Sequence, residues 1–178
     1  MTTNHKMRRL PKQSRGQQRI EKILDATESL LCEMDFDKIT TNHIAQKANT
    51  SVGVMYRYFP NKYAVFAGLA ERDRAYLTEI QSECLIKCSR DDWQQYVCAF
   101  VDQLASHYRS SPAYHILWAG IKANTSTSPI SCDLMEALAK SHQELSRHLT
   151  PNVSEEMQPI VSSVIVNLIQ SQLTLAIK

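Results

Sequence analysis

The stretch Thr40–Lys62, TTNHIAQKANTSVGVMYRYFPNK, constrains this chain more than any other. A hydroxyl from Thr40 or Thr41 can accept from the free backbone N–H groups of a first helical turn. Ile44, Ala45 and Ala48 then give a short helix one apolar face. Ala48-Asn49-Thr50 breaks that pattern, and Asn49 is the best non-glycine residue for a left-handed position after a helix. Ser51 can cap a second helix from Val52 to about Tyr58, which Pro60 stops, because the residue before proline is pushed out of the α region. Asn61 can cap the helix after it. Helix, a turn of about four residues, helix is the geometry of a helix-turn-helix reader of duplex DNA.

Charge is distributed to suit a polyanion. The net charge is only +2, but residues 1–62 hold 11 Lys/Arg against 6 Asp/Glu. In the first 22 residues Lys6, Arg8, Arg9, Lys12, Arg15, Arg19 and Lys22 face Glu21 alone. A basic N-terminal third before a mildly acidic remainder fits a nucleic-acid-binding head on a near-neutral body.

The rest of the chain reads as helical throughout. Residues 1–14 are polar, basic and aperiodic, as expected of an arm that is disordered without DNA. Ile20, Ile23, Leu24, Thr27, Leu30 and Leu31 form one stripe of a helix from about Ser14 to Met34. Phe36 and Ile39 are placed to plug the base of the head. A long helix from Asn61 to about Lys87 carries Tyr63, Phe66, Ala67, Leu69, Ala70, Ala75, Leu77 and Ile80 as its apolar set. An aromatic-rich helix from Asp92 to about Arg109 and a short one begun by Pro112 follow. Asn124–Pro129 is turn chemistry, a helix from about Ser131 to Leu149 comes next, and a last helix starts near Glu155. That last helix is apolar nearly all round, which predicts burial on two sides, its own core and a second subunit. It runs into Lys178 without a cap or turn, so a further helix is expected beyond it. The expected domains are an arm over 1–14, a head over 15–60 and a body over 61–178, making an all-α chain of about eight helices.

Several function classes are disfavoured. Cys32, Cys84, Cys88, Cys98 and Cys132 are odd in number and contain no C-x-x-C, which favours reduced thiols over a disulfide framework or zinc site. His5, His43, His107, His115, His142 and His148 make no i, i+4 metal pair. With no nucleophile elbow, phosphate loop or EF-hand, neither catalysis nor a cofactor is expected. No run approaches the ~18 apolar residues of a membrane helix. The basic N-terminus has no apolar core behind it, so a cytoplasmic protein is expected.

In the motif, Thr41, Ile44-Ala45, Ala48-Asn49-Thr50-Ser51, Gly53, Tyr56, Tyr58-Phe59 and Lys62 stand at fixed spacing, preceded by Ile23-Leu24-Asp25-Ala26. This pattern resembles the TetR family of transcriptional regulators over about residues 15–70. The family usually has glycine where Asn49 stands, and polar or basic residues are common where Val52 and Val54 stand. Those valines suggest van der Waals contact with thymine methyls in place of hydrogen-bond readout.

From the residues themselves, Ser51, Val52, Gly53 and Val54 would open the major-groove helix, with its N–H groups toward a phosphate and Gly53 permitting close approach. Tyr56 and Tyr58 carry hydroxyl donors for phosphate, and Arg57 reaches guanine or phosphate. Thr41 and Asn42 are placed for phosphate or base contact, and Lys62 for phosphate. One such head makes few base contacts, so a homodimer on a near-palindromic operator is expected, and the resemblance implies that it acts as a repressor. Val161, Val164, Ile165, Leu168, Gln172 and Leu175 are its candidate interface. The resemblance also implies a sensor pocket in the body for a small apolar or amphipathic effector, with Tyr96, Phe100, Gln103, His107, Tyr114, Trp118, Met135 and Gln170 as candidate lining. The competing reading is a helical protein-interaction module without sequence-specific DNA binding, which leaves the basic arm and the Tyr/Lys spacing unexplained.

Overall fold

A computed structural model describes residues 14–87, 93–124 and 152–165, together with Asp133, Glu136, Lys140, Gln143, Ser146, Arg147, Thr150 and Leu168. Among these residues the chain is all-α, without a strand. The helices are α1 (Ser14–Glu33), α2 (Thr41–Lys47), α3 (Val52–Tyr58), α4 (Lys62–Lys87), α5 (Trp93–Ser110) and α6 (Pro112–Ala123), with a 3-10 turn at Phe36–Lys38. Residues 158–165 are helical as well. Residues 1–13 of the expected arm, residues 125–129 of the expected Asn124–Pro129 loop and most of the helix expected over 131–149 lie outside the described residues.

The chain divides into two compact units. The first comprises Met1–Arg72 and Pro112–Ile130, the second Asp73–Ser111 and Ser131–Lys178. The helix-turn-helix head therefore shares its unit with α6, which the sequence reading assigned to the body. A cut at residue 60 separates neither unit.

The first unit is held by the stripe that periodicity assigns to α1. Ile20, Ile23, Leu24, Leu30 and Leu31 are buried, and so is Thr27, whose hydroxyl donates to the Ile23 carbonyl at 2.7 Å. Ile39, Ile44, Met55, Phe59, Val65, Phe66, Leu69, Leu117 and Ile121 complete the core. Phe36 and Ile39 do plug the base: the Phe36 ring stacks on Phe66 at 4.4 Å between centroids. Gly120 of α6 makes room for that ring. A Cβ there would lie 2.3 Å from Phe36 Cδ2 and 2.4 Å from Cγ. Asn124, just past α6, donates to the Asp37 carboxylate at 3.1 Å and ties the end of α6 to the same turn.

Arg72 closes the unit electrostatically. Its guanidinium donates to Glu21 at 3.2 Å, Asp25 at 2.6 Å and Glu28 at 2.6 Å on α1, and to the Tyr114 hydroxyl at 3.2 Å on α6. Burial opposes the charge, but Asp25, Tyr114 and Glu21 outweigh it and hold the guanidinium pKa above its usual value.

In the second unit Tyr96, Phe100, Leu104 and Tyr108 form the buried stripe of α5, with Tyr96 and Phe100 stacked 7° from parallel. They share the unit's core with Leu77, Ile80 and Cys84 of α4, whereas Ala75 is exposed, against its expected inward place. The one fully buried carboxylate of this stretch, Asp73, meets His107 Nε2 at 2.6 Å and accepts from the Tyr108 hydroxyl at 3.5 Å. Burial first, and then Asp73, pushes the Tyr108 phenol well above the usual tyrosine range. Buried Gln158 donates to the Thr150 and Val153 carbonyls and accepts from the Ser146 hydroxyl, so its own amide is satisfied. Cys32 and Cys98 are exposed and Cys84 is buried. Among the described residues no helix is long and apolar enough to cross a membrane.

The Gly120 contact is testable. Cγ and Cδ2 lie at the root of a ring already stacked on Phe66, so rotating the ring tip does not relieve them. Gly120→Ala should destabilise by about 1–3 kcal/mol, the usual cost of overpacking, read as a lowered urea midpoint. Adding Phe36→Leu should recover part of that loss. An unchanged midpoint for Gly120→Ala would mean that the ring yields freely.

Candidate nucleic-acid interface

The first motif helix starts where its cap dictates. Of the two threonines, Thr40 takes the cap position, its hydroxyl accepting from the His43 N–H at 3.2 Å. That leaves Thr41 in the first turn with its hydroxyl free to turn toward α3. It meets the Tyr56 hydroxyl at 3.4 Å, a long contact linking α2 and α3.

The turn closes as a complete Schellman motif. Thr50 N–H donates to Ala45 O at 2.9 Å and Asn49 N–H to Gln46 O at 3.1 Å. Asn49 sits at φ 49°, the one non-glycine residue with positive φ among those described. Asparagine tolerates this region better than other side-chain-bearing residues, so it replaces the familiar glycine without opening the turn. Ser51 caps α3 by accepting from Val54 N–H at 3.2 Å, and Asn61 caps α4 by accepting from Ala64 N–H at 2.9 Å. Between these caps α3 is fixed at both ends.

Helical spacing then sorts the side chains of α3. Met55, Tyr58 and Phe59 point inward and are buried. Ser51, Gly53, Tyr56 and Arg57 are exposed, and Val52 and Val54 half-buried. Of the residues expected at DNA, Thr41, Asn42, Ser51, Val52, Gly53, Val54, Tyr56 and Arg57 therefore present at least part of themselves outward. Tyr58 does not: the residue is 7% exposed. Two residues along a helix is about 200° of rotation, so Tyr56 and Tyr58 occupy opposite faces.

Lys62 is also differently employed. Its ammonium donates to Asp37 O at 2.8 Å and Ile39 O at 3.0 Å, closing the carbonyl end of the 3-10 turn, and lies 5.3 Å from the Tyr63 ring centroid. An ammonium has three donors, so at most one remains for a phosphate. Lys47 at the end of α2 donates to Glu33 at 2.6 Å, and this bond, with Ser29, holds the Glu33 carboxyl below its usual range. Sequence reasoning missed both of these ties and the Arg72 cluster. The only signal for the last was Glu21, Asp25 and Glu28 at i, i+4, i+7 on one face of α1.

Gly53 has no structural need to be glycine. Its φ is not positive, and a Cβ there would meet nothing nearer than the Ser51 hydroxyl at 4.0 Å. In an exposed helical position glycine is the less stable choice by roughly 0.5–1 kcal/mol relative to alanine.

The expected effector lining falls in both units. Tyr114 and Trp118 are buried in the first, with the Tyr114 hydroxyl engaged by Arg72. Tyr96, Phe100 and His107 are in the second, where His107 holds Asp73. Gln103 is exposed, outside the buried stripe of α5, and Met135 and Gln170 lie outside the described residues. Of the expected dimer face, Val164 and Leu168 are more than half exposed and Val161 and Ile165 half-buried, while Gln172 and Leu175 lie outside the described residues. No group of three metal-ligating side chains gathers among the described residues.

Comparison with known proteins agrees with this geometry. The sequence pattern of the bacterial regulatory proteins, tetR family, matches residues 23–69. An uncharacterized HTH-type transcriptional regulator of Bacillus subtilis, YvdT, is 39% identical over 62 residues, 35% of this chain and 31% of that protein. The nucleoid occlusion factor SlmA of Haemophilus ducreyi is 35% identical over 71 residues, 39% of this chain and 35% of its own length. The matches thus span about a third of these curated relatives. The structure of the fatty acid degradation regulator FadR from Bacillus halodurans superposes with a TM-score of 0.66 at 16% identity, covering 88% of this chain and 82% of that one, a likeness of fold. Residues 23–69 therefore carry the helix-turn-helix segment of the bacterial regulatory proteins, tetR family.

Proposed function

We propose that this chain is a transcriptional regulator that binds a near-palindromic duplex operator as a homodimer and represses until a small apolar or amphipathic molecule binds its helical body. The observation that carries the DNA-binding part is Gly53. An exposed helical glycine with open space over it weakens the fold and relieves no internal contact. The space is useful only to a partner that comes close to the backbone of α3. Beside it stand a phenol, Tyr56, and a guanidinium, Arg57, both exposed and suited to phosphate or guanine. The buried Met55 and Phe59 fix the helix from behind.

Stability and binding should therefore move in opposite directions at residue 53. Gly53→Ala should raise stability by about 0.5–1 kcal/mol and weaken binding to duplexes selected in vitro by the full chain at least tenfold. A variant that is more stable and binds as well as the parent would remove α3 from the interface. Tyr56→Phe should lower affinity several-fold with little change in the urea midpoint, because the lost hydroxyl contact to Thr41 is long and exposed. Titrating the parent at two salt concentrations should give a steep dependence; a flat one would favour the protein-interaction module.

The dimer reading is supported by an apolar stripe that the monomer leaves open. Ile160, Val164 and Leu168 recur at i, i+4, i+8 and are 54%, 52% and 57% exposed, and Met157, in the turn just before the helix, is 46% exposed. A contiguous run of this kind on a helix marks a surface meant for cover, and two-fold pairing of heads is what a palindrome requires. Val164→Glu should shift the sedimenting species toward the monomer and cost most of the operator affinity. A variant still dimeric at micromolar concentration would place the interface elsewhere. Induction requires that the effector bind the two conformations of the dimer with different affinity.

A further inference from the structure

Charge on α1 is sorted. Each of its four acids is engaged: Glu21, Asp25 and Glu28 by Arg72 at 3.2, 2.6 and 2.6 Å, and Glu33 by Lys47 at 2.6 Å. Its three bases, Arg15, Arg19 and Lys22, are exposed and hold no ion pair among the described residues. At 3.6 residues per turn the three bases fall within about 60° of arc, and the Arg72-bound acids centre about 120° away. Lys22 has an acid at i+3, the position where helices ordinarily pair opposite charges, yet that acid, Asp25, turns to Arg72. Arg15 and Arg19 are like charges at i, i+4, which costs a helix a few tenths of a kcal/mol. Neither choice stabilises α1. Both leave one edge of it uniformly positive, and the sequence ahead of it adds Lys6, Arg8, Arg9 and Lys12 without an acid.

We propose that the Arg15–Arg19–Lys22 edge is a second, sequence-blind contact with the phosphates of the duplex that the motif reads, and that Arg72 is the positioning residue that keeps this edge basic by withdrawing the neighbouring acids. The stripe runs about 10 Å along the helix, the axial length over which one DNA strand presents about three phosphates. Guanidinium and ammonium groups held by exposed, unconstrained stems suit phosphate oxygens and carry no base pattern. The inference rests on the DNA-binding reading above and adds to it a contact surface outside the helix-turn-helix.

The test compares the full chain with the Arg15→Gln/Arg19→Gln/Lys22→Gln variant on two probes, a duplex recovered by in-vitro selection and a 30-base-pair duplex of unrelated sequence. All three positions are exposed and glutamine is a good helix former, so the melting temperature should hold. Affinity should fall by a similar factor on both probes, leaving their ratio unchanged. The slope of log K against log salt should flatten by about 2–3, since each phosphate contact contributes roughly 0.9. An unchanged slope, or a loss confined to the selected duplex, would overturn the proposal. Gly53→Ala separates the two readings: if it abolishes selection while the triple variant keeps the parent's slope, the motif reads DNA and this edge does not. Anionic phosphatidylglycerol vesicles serve as a third probe. Triple-variant-sensitive binding to vesicles, with unaltered binding to both duplexes, would assign the edge to a membrane surface and overturn the DNA contact.

Discussion

One guanidinium organises the first unit. Arg72 reaches three carboxylates on α1 and a phenol on α6 from a side chain one-quarter exposed. Surface ion pairs contribute little, a few tenths to about 1 kcal/mol, because water screens them and two long side chains must be ordered. This cluster differs in three respects. The guanidinium side chain is three-quarters withdrawn from water, it is shared by three acids, and it bridges helices far apart in sequence. Without it, Glu21, Asp25 and Glu28 would repel one another along one face of α1, and the Tyr114 hydroxyl would lose the Arg72 donor. The apolar core supplies most of the cohesion, but packing alone is tolerant of small slides between helices. A multidentate charged contact is not, so Arg72 fixes the register of α1 against α4 and α6.

The next residue along α4 serves the second unit in the same manner. Asp73 is buried and takes His107 and Tyr108 of α5. A buried carboxylate is tolerated only when charge-assisted hydrogen bonds replace its hydration, and here the tyrosine phenol is held protonated as a donor by burial and by the carboxylate itself. Consecutive positions of one helix thus carry the polar anchor of each unit.

What the sequence discloses is what local physics decides. Thr40, Ser51 and Asn61 lie at helix starts as their side-chain oxygens require, Asn49 takes the left-handed position, and Pro112 opens α6. Each depends on a window of a few residues, and no distant partner overrules it. What the sequence does not disclose has the opposite cause. Tyr58 was legible as part of a family pattern, but its face is set by the packing behind α3. Lys62 looks like a phosphate ligand until the carbonyls of Asp37 and Ile39, over twenty residues back, are brought to it. The placing of α6 with the head depends on a missing Cβ at Gly120 and a ring at Phe36, two features with no meaning in a local window. The candidate interface was therefore largely legible and its scaffolding was not.

The same distinction bears on what α3 can read. Its outward polar groups, Tyr56 and Arg57, stand at the later turns of a helix only seven residues long, while its first turn offers Val52, Gly53 and Val54. In helix-turn-helix docking the N-terminal residues of the reading helix approach the base edges. A first turn of two valines and a glycine supplies no donor or acceptor side chain to those edges. It supplies branched methyl surface that can meet the C5-methyl of thymine, and a bare backbone that can approach without steric cost. Discrimination by one apolar contact is weak beside a bidentate hydrogen bond, so under the proposed homodimer sequence preference would have to accumulate from two heads and from the deformability of the duplex between them. Firm anchoring to phosphates is then a requirement of specificity, because a shallow apolar reader distinguishes bases only if its backbone contacts hold it in register.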